Sequence, residues 1–106
     1  MRGLTEILGE WRTEVEMPIE AISGEINGPT KVLEKKLAKL KAQISQFEFN
    51  DIKKLQAEIQ RLNEADPRVY SRLSKLNRNL TVLKYLFYYQ LEIMQRLKSK
   101  LKMLKL

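Results

Sequence analysis

The side chains with most to offer another molecule lie in the last forty residues. Arg68, Arg72, Lys75, Arg78, Arg96, Lys98, Lys100, Lys102 and Lys105 are spread along this stretch, and Glu92 is its sole acidic residue. Cations at this density can neutralise successive phosphates of a nucleic acid or meet an acidic protein. The final eleven residues alone carry five basic groups and no acid. A helix dipole favours cations at its C-terminus by about 0.3–1 kcal/mol each, which accounts for one or two of these groups and not for five. Among the basic residues sits an aromatic run, Tyr85-Leu86-Phe87-Tyr88-Tyr89-Gln90-Leu91-Glu92-Ile93-Met94. Tyr85, Phe87, Tyr88, Tyr89, Gln90 and Met94 are its candidate protein-interface residues, since tyrosine joins a large apolar ring to a polar tip and is enriched at interfaces. The run has two other readings. It can be the buried centre of a bundle with hydroxyls at the rim, or a platform on which unpaired bases stack.

Other chemistry is excluded or left without a site. The chain of 106 residues has no cysteine and no histidine. That removes disulfides, thiolate ligands and thiol nucleophiles, along with the commonest general base and the commonest metal ligand. No clustered Asp/Glu loop resembles a Mg²⁺ or Ca²⁺ site. The expectation is a non-catalytic protein with no catalytic residue, cofactor, metal or small-molecule substrate. Helix-turn-helix, zinc-finger and RNP signatures are also missing, so a nucleic-acid contact would be directed at phosphates with weak sequence preference.

The element that must position these groups is a long helix over 67–106. Val69, Leu73, Leu76, Leu80, Leu83, Phe87, Gln90, Met94, Leu97, Leu101 and Leu104 alternate in steps of four and three, which keeps one stripe turned toward a partner. Asp66 is the expected N-cap and Pro67 the first helical residue. Gln90 is the polar member of the stripe, either a register-setting residue or a wet gap.

Upstream, Leu4, Ile7, Leu8, Trp11, Val15, Ile19, Ile22 and Ile26 share one helical face. Pro18 predicts a kink or break near Met17. Trp11 reads as a core or interface anchor. Asn27-Gly28-Pro29-Thr30 is a turn, with Thr30 a candidate N-cap. The next helix, over 30–47, carries Leu33, Leu37, Leu40, Ile44 and Phe47, while Lys31, Lys35, Lys36, Lys39 and Lys41 decorate its other faces. Those lysines form either a solvated face or part of a phosphate-binding surface. The stripe then jumps by five, from Phe47 to Ile52. A tight connection at 48–50, capped by Asn50 or Asp51, is the preferred reading, and a continuous helix with a stutter competes with it. A helix over 51–65 follows, bearing Ile52, Leu55, Ile59 and Leu62.

These elements make an all-α, elongated bundle of about four helices with a long C-terminal helix, as a single domain over 1–106. At 1.5 Å per residue the last helix would span roughly 60 Å and the two before it roughly 25 and 22 Å. No single helix within the chain can cover the last one along its length. Either the shorter helices pack on it in tandem, or part of it protrudes to meet another chain. Self-association or another helical protein satisfies the stripe most simply. Net charge is +7, distributed as −4 over residues 1–29, +2 over 30–66 and +9 over 67–106. No signal-like or membrane-spanning apolar stretch is present, so a soluble, cytoplasmic protein is expected.

From Asp66-Pro67-Arg68-Val69-Tyr70 through Leu80, Leu83, Leu86-Phe87 and Leu91 to Met94-Gln95-Arg96-Leu97, the chain resembles the long last helix in the α-domain of archaeal GINS subunits. The resemblance covers some sixty residues and implies an elongated bundle in a hub that links the replicative helicase to its partners. The aromatic pair of that family is replaced by Val32-Leu33, the small β-domain is missing, and no functional residue carries over. The expectation is therefore a helical adaptor or assembly protein, in a DNA-replication or other nucleic-acid complex. The alternative is a basic protein that binds nucleic acid through its C-terminal helix.

Overall fold

The computed structural model describes residues 3–65, 68 and 70–105. All of its regular structure is helical, with no strand among the described residues. Among the described residues three helices replace the expected four, because the five-residue step at Phe47–Ile52 is absorbed inside a continuous helix.

The first helix is continuous through Leu4–Trp11, a π-helical turn at Arg12–Glu16, and Met17–Gly24. Its apolar residues explain the π turn. Ile7, Trp11, Val15 and Ile19 follow in three consecutive steps of four, and in an α-helix each such step over-rotates by about 40°. A π turn holds one residue more and takes up that excess. Met17 N–H accordingly reaches back five residues to the Arg12 carbonyl. All four residues, with Ile22, are buried. Of the kink or break expected near Met17, the break does not occur: residues 4–24 are helical throughout, with the irregularity confined to the π turn. Pro18 follows directly after it, where the i→i−4 ladder is already interrupted and its missing N–H disturbs little.

The second helix runs through Thr30–Phe47, a π turn at Glu48–Lys53, and Lys54–Ala65. The expected connection at 48–50 is therefore not a turn. An α-helix would place Ile52 about 140° out of line with Phe47. The wider π turn returns it to the same face. Leu33, Leu37, Leu40, Ile44, Phe47, Ile52 and Leu55 are all buried on one side. Asn50 caps nothing there, and its side-chain amide donates to Gln46 Oε1 at 3.1 Å. Thr30 is the first helical residue, not the cap; Pro29 precedes it without a side-chain capping bond, and Leu33 N–H bonds the Pro29 carbonyl at 3.2 Å.

The turn before this helix is held by Gly28 N–H on the Glu25 carbonyl at 2.8 Å and by the Lys36–Glu25 ion pair. A side chain at Gly28 would be a tight fit there, since a Cβ would lie 3.2 Å from that carbonyl oxygen.

The third helix is Tyr70–Leu104, 35 residues. The expected start with Asp66, Pro67 and Val69 lies outside the described residues. Because the second helix is unbroken from 30 to 65, it matches the third in length, and the predicted shortage of a partner disappears. The two run antiparallel, with Lys105 at the end of one paired to Glu34 near the start of the other. The first helix packs on both at that end, where Trp11 meets Phe47 with ring centroids 6.4 Å apart. Leu33, Leu40, Leu83 and Met94 are sealed between the helices. At the opposite end the second and third helices pair alone; Leu73 and Leu76 are buried there, and Ile59, Leu62 and Leu80 are half-buried. The result is a rod of 58 × 21 × 16 Å. Among the described residues no helix is long and apolar enough to cross a membrane.

Candidate functional site

The third helix has two working faces. Its inner stripe packs within the chain and includes Phe87, Gln90 and Met94, three of the six candidate interface residues. Gln90 is buried, so the wet-gap reading does not hold. Its amide oxygen has no hydrogen-bond partner among the described residues, and the same is true of the Trp11 indole N–H. Leaving such a group unpaired costs about 1–3 kcal/mol, so each is a weak point in an otherwise apolar core.

Tyr85, Tyr88 and Tyr89 turn the other way. Tyr85 is 68% exposed and stacks on Tyr89, one turn further along and 50% exposed, with centroids 6.3 Å apart and planes 7° from parallel. Tyr88 is exposed too and sets its ring against the edge of Phe87 at 5.2 Å. Val82 and Met103 lie on the same solvent side as the stacked pair and are exposed. Val82, Tyr85, Tyr89, Arg96 and Met103 thus follow at steps of three, four, seven and seven, a second stripe back to back with the first. Heptad spacing appears on both faces, but only the inner one finds its partner within the chain.

The basic candidates line this helix without converging on one point. Arg68, Arg72, Lys75, Arg78, Lys100 and Lys102 are exposed and Lys98 is half-buried. Arg96 donates to Glu92 at 2.8 Å on the same face, and Lys105 is paired with Glu34. Near the two-helix end, Tyr70, Ser71, Ser74, Lys75 and Arg78 surround a shallow hollow of about 550 Å³. Cations, hydroxyls and an aromatic ring meet there, a mixture suited to phosphate and sugar contacts.

A third feature was not anticipated from the sequence. Between the first and second helices runs a half-open groove of about 890 Å³. Ile7, Trp11, Phe47 and Leu55 form its floor. Its edges carry Glu10 and Glu14 from the first helix and Asp51 and Glu58 from the second, against Lys39 and Lys54. The spacing of Glu6, Glu10 and Glu14 at four residues marks an acidic flank beside Trp11, but that pattern does not say which helix faces it. Asp51 and Glu58 line the same groove, the second helix continuing through the π turn past Phe47. Compared with protein-family models, with curated proteins and with solved structures, the chain finds no match in any.

Proposed function

We propose that the protein is a non-catalytic helical adaptor that assembles with itself or docks another helical protein through the outer face of its third helix. The observation that carries this reading is the Tyr85–Tyr89 stack on the solvent side of a helix whose inner stripe is already satisfied. Single exposed apolar residues are ordinary on a monomer, whereas large ones repeated at helical spacing form a surface that a second helix can cover. Tyrosine suits such a surface, since it buries a large ring at the cost of few rotatable bonds. A place in a DNA-replication or other nucleic-acid complex is supported by the basic helix and by the resemblance to GINS subunits.

The test is gel filtration with light scattering on the wild type and on Tyr85→Ala/Tyr89→Ala. The wild type should exceed the monomer mass at micromolar concentration, and the double variant should run as a monomer with unchanged helicity. A wild type that stays monomeric throughout and binds no acidic polymer removes the reading.

A second reading is direct binding of nucleic acid, favoured by the hollow at Tyr70, Ser71, Ser74, Lys75 and Arg78. Salt separates the two. Binding of a short duplex should weaken steeply between low and moderate salt, whereas docking through apolar rings should persist.

A further inference from the structure

We infer that the groove between the first and second helices is the seat for the outer face of the third helix of another copy of this chain. The inference rests on the adaptor reading above and supplies its partner. The groove's lining comes from the first and second helices alone, with no residue of the third. The tyrosine stripe lies on the solvent side of the third helix. One copy therefore cannot fill its own groove, and the contact must join two molecules.

Three properties match. Along the second helix the groove extends from Lys39 to Glu58, roughly 28 Å at 1.5 Å per residue. On the third helix Arg78 and Arg96 stand seven residues to either side of the Tyr85–Tyr89 pair, a span of roughly 27 Å by the same rise. The chemistry is matched as well: two stacked rings at the middle of the stripe meet an apolar floor that includes Trp11 and Phe47. Finally, the groove's four carboxylates outnumber its two ammonium groups, and the incoming stripe carries Arg78 at one end and, at the other, Arg96 paired with Glu92 on the same face.

Charge also selects this arrangement over a pairing of like helices. Residues 67–106 carry +9 and residues 1–29 carry −4. Two third helices laid face to face would repel, while a third helix laid beside a first helix is attracted. The added helix completes a local four-helix packing around the groove. Because groove and stripe are different surfaces, the contact is head-to-tail and propagates into a ring or a chain.

Two half-blocked variants test this. Glu10→Lys/Glu14→Lys changes the groove's edge and leaves the stripe intact; Tyr85→Ala/Tyr89→Ala does the reverse. Light scattering should show each as a monomer alone. Mixed in equal amounts they should give twice the monomer mass and no larger species, because one intact groove then meets one intact stripe. That dimer should weaken as salt rises.

A groove variant that assembles as the wild type does overturns the assignment of the groove while leaving the adaptor reading in place. A tyrosine variant that still assembles overturns both. Helical variants that fail to combine when mixed also overturn the groove. A wild type that stays monomeric and binds a short duplex places the basic helix on nucleic acid instead, and the self-docking is then wrong.

Discussion

The two ends of the rod use the same second and third helices and differ in whether the first helix covers them. At the covered end Leu83 and Met94 have no exposed surface. At the bare end Ile59, Leu62 and Leu80 are half-buried, while Leu73 and Leu76 of the third helix are still buried, at 7% exposure each. Identical leucine spacing thus produces two degrees of burial. Spacing decides which way a side chain points, but complete enclosure requires neighbours on every side. Three helices close off Leu83 and Met94 entirely, while two helices bury Leu73 and Leu76 less completely and leave Ile59, Leu62 and Leu80 half-open. The tip is also the lower-stability end, where local opening is expected first.

The largest effect that could break this comparison concerns the stripe's phase. Deleting Ala38, an exposed residue in a regular α-helical stretch, rotates everything after it by about 100° and should abolish cooperative thermal unfolding. Deleting exposed Phe49 from the second π turn should do the opposite. It shortens the Phe47–Ile52 step to four and restores unbroken alternation, so circular dichroism should show an intact, cooperatively melting helix. Similar damage from both deletions would mean that the π turn does not carry the phase correction.

The next effect separates the two ends directly. Met94→Ala at the covered end should cost about 3 kcal/mol in urea denaturation, the usual range for emptying a sealed core site. Leu62→Ala at the tip should cost about 1 kcal/mol, since water already reaches its surroundings. Equal losses would collapse the distinction between the ends. The smallest effect belongs to the Lys105–Glu34 pair, where both side chains are substantially exposed. Lys105→Ala should change stability by no more than about 0.5 kcal/mol, with the pair's contribution fading in salt. A larger loss would show that this contact, and not apolar packing, fastens the covered end.

Part of the candidate site was legible in advance. Tyr85, Tyr88 and Tyr89 were separable from Phe87 and Met94 by angular position alone, because 100° per residue places them away from the leucine stripe. The basic character of the last helix was equally plain. What could not be read was the state of the five-residue step at Phe47–Ile52. A turn and a π turn both accommodate that step locally, and they differ in what lies opposite. Read as a turn, it leaves the last helix without a single partner of its own length, so that either tandem packing of the shorter helices or self-association must cover the inner stripe. In the structure the second helix covers that stripe, and the case for association moves to the outer face.

By itself, the sequence determined that the chain is helical, which faces of the helices are apolar, and that charge runs from acidic to basic along it. These follow from short-range periodicity and composition, which need no knowledge of neighbours. Tertiary structure decided that residues 30–65 form one helix, since continuing the stripe past Phe47 lets the second helix pack along the whole third helix and bury apolar surface on both. It also decided that Gln90 is interior, and that Glu10, Glu14, Asp51 and Glu58 edge one groove over Trp11. Those outcomes depend on which helices lie side by side, and residues far apart in the chain meet only when the bundle closes.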